Sequence, residues 1–168
     1  MRGFILLKHW QLFLLIVITG AWSPPSPMKE VFNSVSIISF SIWINSIVIF
    51  GHKKIKQLGL SVFDLKLFKI NILFGPIFLI ICMVTLSNKV IEPELKFDLL
   101  SAFLILLCLY SIFAILYCIY LACKSIALIE LRRHVAFGDY FPNLIMIVFF
   151  IFGVWILQPK ITRLIASE

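Results

Sequence analysis

Runs of apolar residues close to twenty long, with almost no charge inside them, constrain this chain more than any other feature. A helix rises about 1.5 Å per residue, so about 20 residues match the roughly 30 Å hydrocarbon core of a bilayer. Inside that core every backbone N–H and C=O needs a partner within the protein, which leaves helices or closed barrels. The runs are continuous rather than alternating, and the reading is an all-α integral membrane bundle. Composition agrees: apolar residues are 62% of the chain and charged ones 14%, against about 45–50% and about 25% in soluble domains. A soluble fold of this size could not hide so much Ile, Leu and Phe.

The runs predict four transmembrane helices, at Phe4–Trp22, Val31–Phe50, Ile70–Leu86 and Leu99–Cys123, and a fifth segment at Phe141–Leu157, in one domain over residues 1–168. Ser23-Pro24-Pro25-Ser26-Pro27 ends the first span, because proline lacks the donor and disfavours helix before it. Thr19-Gly20-Ala21 resembles a signal-peptide cleavage site. Trp22 is a poor flank for cleavage, however, and the remaining runs need a membrane anyway. Gly75-Pro76 predicts a kink in the third span. The fourth has neither Gly nor Pro and is expected to continue to about His134. Pro142 and Pro159 are expected to bound the fifth.

Charge gives a direction. The connector from Gly51 to Lys69 holds five lysines against Asp64, and its second half, Leu60–Phe68, reads as lying in the head-group layer. With the N-terminus in the cytoplasm, the first four spans leave ten Lys and Arg inside and three outside, as the positive-inside rule requires. The fifth segment divides the arguments. A span exports Lys160 and Arg163, whereas re-entry with a turn near Gly153 keeps them inside. Its apolar length favours the span and its charge favours re-entry; length tips the balance toward a span. Cytoplasmic-membrane localisation follows, with the bilayer as partner.

Two helix faces stand out. In the fourth span Ser101, Cys108, Ser111, Cys118, Ala122 and Ser125 form a stripe of small residues, which lets another helix backbone approach closely. It serves packing within the chain, or a second membrane protein, or a second copy. In the second span Ser34, Ser41 and Asn45 share a face at steps of seven and four. With Tyr110 and Tyr117, seven apart in the fourth span, they outline a candidate polar cavity.

The exclusions are firmer. The span interiors hold no Asp, Glu, Lys, Arg or His apart from Lys8 and His9 near one end, so a proton relay or ion-coupled pump lacks its buried ionisable groups. Cys82, Cys108, Cys118 and Cys123 sit in apolar runs without metal or disulfide spacing. His9, His52 and His134 each have basic neighbours that repel a cation, and Glu130–His134 is a lone pair at i, i+4. No cofactor, metal site or catalytic residue is expected. An enzyme would have to draw on loop residues such as Asp139, Tyr140, Glu130 and His134. The net charge of +7 reads as orientation and lipid contact rather than nucleic-acid binding. The expected role is an accessory or structural subunit, or a homo-oligomer, acting through helix packing. The alternative is a small-solute or lipid-interacting, transporter-like protein using the Ser/Asn face of the second span.

Lys124-Ser125, Glu130-Leu131, Phe137-Gly138-Asp139-Tyr140 and the run Gly153-Val154-Trp155-Ile156-Leu157-Gln158-Pro159-Lys160-Ile161 resemble a pattern of small multipass bacterial inner-membrane proteins. These share a C-terminal GxWxxQPxI-like segment and have no established activity. The resemblance implies a bacterial inner membrane and a shaping role for Gly153 and Pro159, and nothing about mechanism.

Overall fold

The computed structural model describes residues 7–21, 25, 28–89 and 99–166, all helical apart from short connections. The predicted first span's ends at Phe4 and Trp22, the proline stretch around Pro24 and Pro27, and Glu92, Glu94, Lys96 and Asp98 lie outside the described residues. Six helices are numbered here in chain order: α1 His9–Ala21, α2 Met28–Gln57, α3 Lys66–Lys89, α4 Leu99–Leu131, α5 Phe137–Val148 and α6 Phe150–Ala166.

Three of these, α2, α3 and α4, are long and apolar enough to cross a membrane. The described part of the first predicted span is shorter. At about 1.5 Å per residue, α1 reaches about 20 Å, and a π-helical turn over Leu14–Ile18 interrupts it. It is held to α2 where the Ser36 hydroxyl donates to the Ile16 carbonyl at 2.7 Å.

Helix α4 is the hub, packing against α2, α3 and α5 and touching α6. Its second half is buried nearly all round, from Cys118 to Ile129, with Lys124 and Tyr120 the less covered positions. Its first half instead exposes Phe103, Leu106, Leu109 and Phe113, an apolar face suited to lipid. Helix α3 lies along α4, where the thiols of Cys82 and Cys108 face each other. A short thiol–thiol crosslinker should therefore join them within one chain and give a faster-migrating band. Cys82→Ser should abolish that band and Cys118→Ser should keep it; a band that survives Cys82→Ser contradicts this α3–α4 register.

Several predicted boundaries need correction. Helix α4 stops at Leu131 rather than near His134, because Arg132 takes a left-handed backbone at φ 50°, which a right-handed helix cannot continue through. Gly75-Pro76, where a kink is expected, lies inside the continuous helix α3 and is not one of these boundaries. Pro142 and Pro159 lie inside α5 and α6 rather than bounding them. What starts α5 is Asp139, whose Oδ2 accepts the Ala136 N–H at 2.8 Å while Arg133 pairs with its Oδ1 at 3.0 Å. That Ala136 bond, with Arg133 beside it, holds the Asp139 carboxyl below the usual carboxylate range.

The fifth predicted segment is not one helix. Phe149, at φ −88° and ψ 55°, breaks it, and α6 folds back along α5. Lys160 of α6 reaches Asn143 of α5 at 3.1 Å and Glu130, at the end of α4, at 2.7 Å. Leu164 packs on Ile55, Leu128 and Ile129. Thus α6 returns to the end of the bundle from which α5 departs.

Candidate functional site

The residues of the predicted polar cavity divide. Ser41 and Asn45 line a groove of about 260 Å³ between α2 and α3. Its other walls include Ile38 and Ile42 of α2 and Leu73 and Ile77 of α3, all exposed. The groove therefore opens sideways, on an apolar flank of the bundle. The Ser41 hydroxyl donates to the Ile37 carbonyl of its own helix at 2.7 Å, which leaves its oxygen able to accept. Ser34 makes the same return bond to Glu30 and sits nearer the start of α2; it does not line the groove.

Tyr110 bonds to α3 rather than to the serine-rich helix. Its hydroxyl donates to Asn71 Oδ1 at 2.9 Å, and Asn71, buried, lines a smaller hollow that shares Ser41 and Pro76 with the groove. Tyr117 stacks on Phe113 and meets Tyr120 instead. The structure thus brings Ser41, Asn45, Asn71 and Tyr110 into one neighbourhood. Sequence reasoning missed Asn71, although an amide inside an otherwise apolar run is itself a signal, because it must find a partner there.

Of the small-residue stripe, Ser111, Cys118, Ala122 and Ser125 are buried and Cys108 is half-buried; the Ser101 side chain lies outside the described residues. The stripe, with Ala114 beside it, meets glycines of the same chain. A Cβ added at Gly51 of α2 would stand 2.7 Å from the Ser125 Cβ, and one at Gly75 of α3 would stand 2.9 Å from the Ala114 Cβ. Two neighbouring backbones already occupy the close approach that small side chains permit.

A buried polar bridge closes the bundle across three elements. Trp43 Nε1 donates to Gln158 Oε1 at 2.9 Å, and Gln158 Nε2 donates to the Leu7 carbonyl at 2.9 Å. Both side chains are fully buried. His9 lies against Trp155, while His52 packs against Phe63 and His134 lines a cavity that Phe63 also borders. Among the described residues no three His, Cys, Asp or Glu side chains converge as a metal site.

The basic segments gather at one end. Residues 51–69 and 124–163 hold ten Lys and Arg against three acids, the chain's whole net charge of +7. All three acids are engaged: Asp64 with the Lys66 N–H, Glu130 with Lys160 and Asp139 with Arg133. Compared with protein-family models, curated proteins and solved structures, the chain matches none.

Proposed function

We propose that this chain is a multipass protein of a bacterial inner membrane that acts by taking a lipid chain or a small amphipathic solute into the α2–α3 groove. The observation that carries the reading is the groove's lateral opening, with two polar side chains, Ser41 and Asn45, set among exposed isoleucines and leucines. Such a lining suits an amphipathic guest, since apolar walls take up its chain and a few placed polar atoms fix its depth. A role through the α4 stripe has less support, because that face is covered by α2 and α3.

In this reading the first predicted span, of which α1 is the described part, crosses the bilayer together with α2, α3 and α4, and the N-terminus is inside. The α5–α6 pair is a re-entrant hairpin that enters and leaves on the cytoplasmic side. Its 12-residue first arm is about 18 Å long, roughly half the bilayer. Re-entry also keeps Lys160 and Arg163 inside, where twelve Lys and Arg then stand against three, as orientation by positive charge favours.

The test is photocrosslinking of the protein in native membranes to a lipid with a diazirine in its acyl chain. Asn45→Leu fills and depolarises the groove, and the crosslinking yield should fall about fivefold, the effect of about 1 kcal/mol for one lost hydrogen bond. Leu106→Ala, on the exposed face of α4, should leave it unchanged. Equal yields from Asn45→Leu and the native protein would exclude the groove as the seat.

A further inference from the structure

A second cavity, of about 230 Å³, lies at the basic end, between the connector that follows α2 and the end of α4. Ser61 and Phe63 form one wall, Lys124 and Leu128 another, and His134 a third. The volume falls below the roughly 300–1,000 Å³ of drug-sized sites and suits a small charged group.

Lys124 gives the cavity its charge. It stands among buried residues of α4, and its Nζ bonds to the Tyr120 hydroxyl at 3.1 Å. No carboxylate among the described residues reaches it. The acids of this end are already engaged with Arg133, Lys160 and the Lys66 N–H. A half-buried ammonium with one neutral partner keeps hydrogen-bonding capacity for an anion, and charge-assisted bonds to phosphate oxygens are among the stronger ones available to it.

The opposite wall supplies donors as well. From Ser61 to Phe63 the chain is neither helix nor turn, and neither its N–H groups nor the Ser61 hydroxyl has a hydrogen-bonding partner among the described residues. Ser61 is exposed and His134 stands open at the rim, so the cavity is reachable from the aqueous side. Around it the lysines of the connector, which make no ion pair among the described residues, draw anions to this end.

We propose that this cavity binds a phosphate group, carried by an anionic lipid headgroup or free in solution, with Lys124 as its charged anchor and Ser61 and His134 as rim donors. The headgroup source rests on the membrane reading above. That reading is checked separately, by whether the protein sediments with membranes after an alkaline wash. Diffuse attraction of lipid to many lysines is the competing account, and it treats Lys124 and Lys53 alike.

The experiment uses the full chain in phosphatidylcholine nanodiscs with and without phosphatidylglycerol, reading bound phosphatidylglycerol by native mass spectrometry. Lys124→Met should lower retention about tenfold, as the loss of a charge-assisted hydrogen bond implies. Lys53→Met, exposed at the same end, should change it by no more than about twofold, since exposed charges are screened. Lys124→Arg should restore most of it. In a second arm, inorganic phosphate is titrated onto the detergent-solubilised protein and followed by phosphorus NMR; saturable binding lost in Lys124→Met identifies free phosphate as the source. Should Lys124→Met fail to fold, Ser61→Leu, which obstructs the opposite wall, gives the same loss. Equal losses from Lys124→Met and Lys53→Met, or no loss of either ligand from Lys124→Met, overturn the proposal.

Discussion

Gly153→Ala is expected to open the α5–α6 hairpin and to be the most damaging single-methyl change in the protein. A Cβ on Gly153 would overlap the carbonyl oxygen of Met146, which is backbone rather than the movable end of a side chain. Relief requires α6 to swing away from α5, so the cost should exceed the about 1–3 kcal/mol of ordinary overpacking. The movement reaches Lys160, seven residues on, which pairs with Glu130 and Asn143. Thermal unfolding in detergent should fall sharply, and a cysteine placed at Arg163 should label faster with a water-soluble maleimide. Gly138→Ala is the matched control: nothing lies within 4 Å of its added Cβ, so its melting should stay near the native value. An unchanged melt for Gly153→Ala would rule out the hairpin.

The second large effect belongs to the Trp43–Gln158–Leu7 bridge. Gln158→Leu keeps the approximate volume but strips the Trp43 indole N–H and the Leu7 carbonyl of their partners in a fully buried position. Each orphaned group costs about 1–3 kcal/mol in soluble proteins, and bonds between membrane helices run lower, near 1 kcal/mol. A total loss of about 2 kcal/mol is expected in reversible unfolding by SDS. Trp43→Phe removes the donor from the other side, and Trp43→Phe with Gln158→Leu should cost less than the two single changes added together. Strict additivity would show that the two side chains do not depend on each other.

Helix type and the three long spans were readable because hydropathy acts residue by residue and needs no tertiary knowledge. The small stripe of α4 was readable for a similar reason, since its spacing alone puts Ser111, Cys118 and Ser125 on one side. What lies against them was not, because spacing names a face and not its occupant. The hairpin was hidden for a different reason. Val148 and Phe149 are as apolar as their neighbours, so a turn made there leaves no polar or glycine signal at the break itself. Pro142 and Pro159, the strongest local punctuation, misled, because a helix in an apolar setting tolerates proline when its neighbours supply the missing contacts. The charges of Lys160 and Arg163 argued for a return of the chain and the seventeen residues of apolar length argued against it. Around the groove, Ser41 and Asn45 could be named from periodicity. The Tyr110–Asn71 bond could not, because it depends on how α3 is rotated against α4.

The bridge at Gln158 also bears on how the protein is made. The residue that holds Leu7 lies 151 positions further along the chain, so the ribosome has translated nearly all of the described protein before the partner of α1 exists. Until then α1 has only α2 to lean on, through contacts such as Ser36 with Ile16. Formation of α1 and α2 and closure of the described bundle are therefore separate events in time, and α1 waits in a provisional position that only α6 makes permanent.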